Sequence, residues 1–305
     1  MIHEEIPPAL GGERLDRIVA LVTDASRADA AALVAAGGVM VDGRLVTSGK
    51  QRLQVGQHID VDETKLPIIE LPQADRSIAF GVIYEDDHVI VVDKPGGLVV
   101  HPGAGNMNGT LVNGLLARYP DIATVGDPHR PGIVHRLDVG TSGLMVVARS
   151  IHAYHSLVYA LSQRDVARVY RTMVWGVLAN PTGVIDAPIG RDHRDPMRMS
   201  VVVDGKSART RYQVLDAYSK PVEASALECR LESGRTHQIR VHLAAIGHPV
   251  IGDLTYGSNR AQIAAGRPFL HAAELAFVHP ATNEQLAFHS PLPDDLAVIE
   301  AQFTT

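Results

Sequence analysis

His135-Arg136-Leu137-Asp138-Val139-Gly140-Thr141-Ser142-Gly143 runs without a break into Leu144-Met145-Val146-Val147-Ala148. The second half is a short apolar run, the pattern of a buried strand. The first half is dense in glycine and small hydroxyl residues and carries a carboxylate and a guanidinium two positions apart. A loop of that composition builds little core and is well suited to presenting side chains to a ligand. The plainer alternative is a turn in which Asp138 caps local amides.

Outward from this stretch, the chain alternates strands and helices without a regular βαβ rhythm. Val89-Ile90-Val91-Val92 predicts a buried strand ending at Lys94-Pro95-Gly96-Gly97. Thr110 and Ser150 are placed to cap helices, and Tyr170 to Leu178 predicts another strand. Met199 to Val203 and Ala208 to Leu215 flank Asp204-Gly205, which predicts a hairpin. Val222 to Leu231 continues as strand, and Thr236 to Ile246 reads as helix. This strand-heavy, hairpin-connected order points to an α+β domain with a mixed, mostly antiparallel sheet, over residues 78–305.

Residues 1–66 predict a separate small α/β module. Leu15, Ile18, Val19 and Val22 have helical spacing. Ser26, with Asp29 three residues on, predicts the N-cap of a second helix that Gly37-Gly38 stops. Val39-Met40-Val41 and Leu45-Val46 flank the hairpin signal Asp42-Gly43, and His58 to Asp62 alternates as a last strand. Residues 67–77, with Pro67 and Pro72, predict a linker.

A chain of 305 residues with 46% hydrophobic and 20% charged side chains has room for one sizeable core and an accessory domain. It has no apolar run near the roughly 20 residues that cross a bilayer, and Met1-Ile2-His3-Glu4-Glu5 is unlike a secretory signal. The lone Cys229 fits a reducing compartment, so the cytoplasm is expected and a membrane partner is not. The net charge of −6 argues mildly against nucleic acid. Its distribution does not: residues 1–75 hold 7 basic and 12 acidic side chains, and residues 126–240 hold 16 basic and 11 acidic ones. Fifteen histidines raise the question of a metal. His237 and His242 are five apart, not the four that aligns two ligands on a helix, so no metal is expected. Gly103-Ala104-Gly105 lacks the ending of a phosphate-binding P-loop.

The HRLD-V-G-TSG loop resembles that of the RluA-type family of RNA pseudouridine synthases. Three further stretches follow in the family's order. Asp93-Lys94-Pro95-Gly96-Gly97-Leu98 with His101-Pro102-Gly103 resembles the first motif, and Tyr170 stands where the family keeps an active-site tyrosine. Gly234-Arg235-Thr236-His237-Gln238-Ile239-Arg240-Val241-His242, then Gly247-His248-Pro249 and Gly252-Asp253, resembles the third. Arg14-Leu15-Asp16, Ser26-Arg27 and Gly38 to Gly43 resemble an S4-type RNA-binding domain. The second helix of this module departs from such domains, since Ala28 to Ala36 offers only Asp29 as a charge. Val139-Gly140 and Ser233 also depart from the family's usual residues.

The resemblance implies the pseudouridine synthase fold and a cofactor-free isomerisation of uridine in structured RNA, with ribosomal RNA of the 23S type, free or in pre-ribosomal particles, as the expected partner of a monomer. It implies Asp138 as the catalytic carboxylate, Arg240 as its ion-pair partner and Tyr170 as the ring against the extruded uracil. Arg136 would enter the gap left by the flipped base. Lys94, Arg235 and His237 would serve as phosphate or structural contacts rather than catalysts, with Arg27 and Arg44 as RNA contacts in the small module. Breaking the N1–C1′ bond builds positive charge at C1′, which an ionised carboxylate stabilises. Asp138 could do so electrostatically, attack covalently or remove the 2′ proton. Two other classes compete: a non-catalytic RNA-binding or assembly factor, and a nucleoside hydrolase, which would want a second carboxylate.

Overall fold

The computed structural model describes residues 1–25, 27–66, 71–103, 105–195, 197–257, 263 and 265–305. They divide into two units, Met1–Glu70 and Leu71–Thr305.

In the first unit, β1 (Ile2–Glu5), α1 (Leu15–Thr23), α2 (Arg27–Ala35), β2 (Val39–Val41), β3 (Arg44–Leu45) and β4 (His58–Val61) follow in order. The antiparallel sheet runs β1-β4-β2-β3. Helical spacing puts Leu15, Ile18 and Val19 of α1 and Leu33 and Val34 of α2 in one core with Val39, Ile59 and Val61. Asp42 and Gly43 both adopt left-handed φ, 48° and 75°, the two-residue turn whose twist suits a hairpin. The expected cap Ser26 lies outside the described residues. Strand β1 was not legible as a strand, because three of its four residues are exposed and it is held by its edge pairing to β4.

The second unit is built on a nine-stranded sheet. Its elements are β5 (Gly81–Glu85), β6 (Val89–Lys94), α3 (Leu111–Arg118), β7 (Ser142–Ala148), α4 (Ile151–Gln163), β8 (Ala167–Trp175), β9 (Thr182–Asp186), β10 (Ile189–Arg191), β11 (Met199–Val201), β12 (Arg209–Tyr218), β13 (Ala224–Leu231), α5 (Gln238–Ala245), β14 (Leu270–Val278), β15 (Gln285–His289) and α6 (Asp294–Glu300). The strand order is β5-β6-β7-β14-β8-β13-β12-β9, with β15 also on β14, and β10 pairs separately with β11. Every neighbouring pair is antiparallel except β7 with β14.

The uninterrupted apolar runs of β6 and β7 follow from burial on both sheet faces. Ile90, Val92, Met145 and Val147 join the core that also holds α3. Their alternates Val89, Val91, Leu144 and Val146 join the core under α4. Ser150 caps α4 by accepting from the Ala153 amide at 3.2 Å. Asn113 accepts from both the Thr110 amide and hydroxyl at the start of α3, at 2.9 and 2.7 Å. Of the stretch expected as a linker, residues 67–70 lie outside the described residues. Farther on, the Gln73 carbonyl accepts from Asn113 and the Asp75 amide donates to it, which ties this segment to α3.

The hairpin expected at Asp204-Gly205 does not form. A turn is present, with the Gly205 amide on the Val202 carbonyl, but β11 pairs with β10 and β12 with β9 and β13. Neither Asp204 nor Gly205 takes a positive φ. Glycine is needed at 205 for another reason: a Cβ there would lie 2.6 Å from the Ile189 backbone. The Asp-Gly pair thus marks a close approach of two segments of the chain. No helix among the described residues is long and apolar enough to cross a membrane.

Candidate active site

The HRLD loop leads into β7 beside the parallel seam with β14. Gly143 sits opposite Ala272 with φ +111°, and a Cβ on it would lie 2.3 Å from the Ala272 carbonyl oxygen, so only glycine lets the two strands meet here. Buried Leu137 anchors the loop, while its neighbours Arg136 and Asp138 are turned outward, Arg136 exposed and Asp138 half-buried. Three ties fix the backbone that follows. The Gly97 amide donates to the Val139 carbonyl at 2.7 Å, Arg267 Nη1 to the Gly140 carbonyl at 2.9 Å, and the Thr141 amide to the Asp138 carbonyl at 3.0 Å. A carboxylate held by its backbone in this way loses little freedom when a substrate binds.

Arg240, in the first turn of α5, brings its Nη1 to 3.2 Å from Asp138 Oδ2. The same guanidinium forks onto Asp253, Nε at 2.6 Å and Nη2 at 2.9 Å, and lies over the Tyr256 ring at 5.1 Å. Burial pulls the Arg240 guanidinium down, but Asp253 and then Asp138 more than offset this and raise it, so the cation persists. His237 takes a left-handed φ of 56° just before α5. It shares a hydrogen bond with the Tyr256 hydroxyl at 2.8 Å and places Nε2 at 4.0 Å from Asp138. Burial lowers its pKa, with Asp138 opposing the shift.

A cleft of about 380 Å³ opens over these groups, lined by Asp138, Arg136, His237, Arg235, Arg168 and Tyr170 among others. Tyr170 comes from β8; its side chain is buried and its hydroxyl finds no hydrogen-bond partner among the described residues. Burial pushes that phenol up to about 12. Arg136 and Arg235 are exposed at the cleft, Arg235 with Nε on the Ser207 carbonyl at 3.0 Å. Arg27 and Arg44 lie in the first unit, both exposed, and Arg27 reaches Asp16 at 3.4 Å.

Lys94 sits as a structural contact would. Its side chain is fully buried, and its Nζ donates to the carbonyls of Pro95, Leu98 and Val139 at 2.9, 2.8 and 3.4 Å. It ties the first-motif loop to the HRLD loop from below. The third motif likewise splits into two roles. Gln238 accepts from the Arg235 amide and Ser233 hydroxyl and donates to the Arg209 carbonyl and Thr210 hydroxyl. With His242 on Thr210 and the Ala187 carbonyl, it fixes the frame on which Arg240 stands. Ser233 keeps the hydroxyl that this frame uses.

Sequence reasoning gave no role to four groups at or behind the cleft: Asp253, Tyr256, Arg168 and His135. Asp253 was part of a matched stretch, but the pattern Gly252-Asp253 reads as a turn and gives no sign of its partner. Asp253 is also the second carboxylate that a hydrolase would need, and it is engaged by Arg240 and by the amides of Thr255 and Tyr256. Among the described residues no cluster of three His, Cys, Asp or Glu side chains could hold a metal.

Known proteins place this geometry. The family described as RNA pseudouridylate synthase matches residues 88–245, and the S4 domain matches residues 13–59. An uncharacterized RNA pseudouridine synthase of Chloroflexus aurantiacus is 46% identical over 97% of this chain and 92% of that one. The ribosomal large subunit pseudouridine synthase D of Xanthomonas campestris is 42% identical over 95% of this chain and 89% of that one. The solved structure of human RNA pseudouridylate synthase domain containing 1 aligns with a TM-score of 0.60 and 26% identity, covering 76% of this chain and 91% of that one. The chain belongs to the RNA pseudouridylate synthase family, with an S4 domain ahead of its catalytic part.

Proposed function

We propose that this protein converts uridines of large-subunit ribosomal RNA to pseudouridine in the cytoplasm, acting as a monomer, with Asp138 as the catalytic carboxylate. The observation that carries the reading is Asp138, which lines a cleft together with Tyr170 and is held by Arg240, itself forked onto Asp253. A carboxylate so placed faces C1′ of a uridine flipped into the cleft, where positive charge grows as the N1–C1′ bond breaks. The base turns and rejoins through C5, and product and substrate hold the same atoms, so the reaction requires no redox or energy cofactor. Flipping costs a few kcal/mol, which stacking on Tyr170 and filling of the vacated gap by Arg136 help to offset. Arg235 and His237 flank the entering nucleotide. Residues 1–66, with Arg27 and Arg44, supply a second hold on the RNA, and residues 78–305 perform the chemistry.

The test is nucleotide-resolution mapping of pseudouridine in total RNA from a strain lacking the gene, with and without the wild-type protein restored. Sites in large-subunit ribosomal RNA that vanish and return support the reading. Sites returning only in transfer RNA would move the substrate. No returning site, with ribosomal RNA still bound, would favour an assembly factor that kept the fold.

A further inference from the structure

Strand alternation puts Arg168 and Tyr170, two positions apart on β8, on the same sheet face, and both line the cleft. Arg168 is only 8% exposed. Its Nε is buried without an acceptor, and no hydrogen bond or carboxylate engages its guanidinium among the described residues. Arg240, by contrast, has two carboxylates. The neighbour of Arg168 offers no compensation, because burial and then Arg168 itself push His135 down to about 3, leaving it neutral. Its Nε2 accepts from the Val146 amide instead. Gly234 leaves the room: a Cβ there would lie 2.9 Å from Arg168 Nη1. A buried cation without a counter-charge is costly to the fold, and such groups persist where a ligand supplies what the protein withholds.

We propose that Arg168 is a further catalytic residue, the receptor for the uracil anion released when the glycosidic bond breaks. The proposal rests on the synthase reading above. When N1–C1′ breaks, its electron pair stays with the base, and the charge spreads from N1 onto O2 and O4. Asp138 meets the deficiency at C1′. The donors of Arg168 meet the charge on the carbonyl oxygens from a buried position, where such donors are most effective. C5 then supplies the pair that bonds to C1′, losing its proton as N1 gains one, and nothing else is consumed. A backbone phosphate is the poorer fit. Phosphates stay at the rim, where Arg136 and Arg235 are exposed, whereas a flipped base is the part of RNA that enters the cleft.

The experiment compares wild type, Arg168→Met and Arg168→Lys in single-turnover assays on a large-subunit ribosomal RNA transcript made with uridine or with 5-fluorouridine. The fluorinated base is the more acidic leaving group and needs less help as an anion. Arg168→Met is expected to bind RNA within about twofold of wild type while its rate falls roughly 10²–10³-fold on uridine, as for loss of one preorganised donor. The rate compared on both transcripts is loss of the parent nucleoside, which reports N1–C1′ cleavage, because the fluorinated base has no C5 proton to lose afterwards. On this measure the deficit of Arg168→Met should shrink on 5-fluorouridine, Arg168→Lys should fall between, and the melting temperature of Arg168→Met should hold or rise. Equal losses on both transcripts, a loss confined to RNA affinity, or a lower melting temperature with an unchanged rate would each overturn the proposal. A wild-type protein that makes no pseudouridine in this RNA would instead bring down the synthase reading, and the proposal with it.

Discussion

Asp253 holds the Arg240 guanidinium at two points, Nε at 2.6 Å and Nη2 at 2.9 Å, and so presents Nη1 to Asp138 at 3.2 Å. The geometry divides the labour between two carboxylates. Asp253 is wholly buried and takes the fork that a guanidinium makes best, while Asp138 receives one bond and keeps its other oxygen for the cleft. Asp253 thus acts through Arg240, as a positioning residue.

Asp253→Asn should therefore lower both stability and turnover. Removing one charge of a buried pair costs roughly 3–5 kcal/mol, which urea denaturation would read directly. Pseudouridine formation by the fraction that stays folded should also fall, because Arg240 can then swing toward Asp138. Unchanged stability would show that the fork contributes nothing net.

Lys94→Met tests whether the buried amine is a tie or an RNA contact. Losing the donor leaves the carbonyls of Pro95, Leu98 and Val139 short of a partner, at a cost of about 1–3 kcal/mol. RNA affinity of the folded variant, and its dependence on salt, should match wild type. A shallower salt dependence would return Lys94 to the phosphate contacts.

His135 gives the protein an acid limit. Its imidazole is held down at about 3 against an ordinary 6.5 by burial and then by Arg168. Between those values the unfolded chain binds a proton that the folded chain refuses. The stability is whole above pH 6.5 and is lost as pH falls toward 3. This one group contributes a slope of at most about 1.4 kcal/mol per pH unit. His135→Gln should flatten the fall in stability between pH 6.5 and 4.5 relative to wild type, measured by urea denaturation; parallel curves would contradict the assignment.

Arg136 is exposed, so Arg136→Ala should change folding stability by less than about 0.5 kcal/mol while turnover falls. If it fills the place of the flipped base, its planar fork matters as well as its charge, and Arg136→Lys should fail to restore turnover. Full rescue by lysine would make it a simple phosphate contact.

Much of this architecture was legible because local signals and tertiary burial agreed. Val89 to Val92 and Leu144 to Ala148 read as strands because both of their faces are buried, and Asp42-Gly43 read as a hairpin because both residues need a left-handed backbone. The loop carrying Asp138 stood out through its glycine and hydroxyl content. What stayed hidden depended on distant partners. The same Asp-Gly pair at 204–205 misled because Gly205 answers to Ile189 across a gap and not to a turn. Lys94 read equally as a phosphate or a structural contact, since nothing local reveals that three carbonyls from two loops surround its amine. Arg168 fell outside the strand predicted over Tyr170 to Leu178, and only the fold shows that its Nε meets no acceptor among the described residues.

The most direct test is pseudouridine formation by purified Asp138→Asn on ribosomal RNA that the wild-type protein modifies, with RNA affinity and melting temperature measured alongside. Asparagine keeps the shape and an acceptor for Arg240 Nη1 but removes the charge, and Arg240 retains Asp253. The account predicts an intact fold, RNA affinity near wild type and a rate lower by roughly 10³-fold or more, as when the acting group of a site is removed. A rate within about tenfold of wild type would mean that the carboxylate at the floor of the cleft is not the group that breaks the bond.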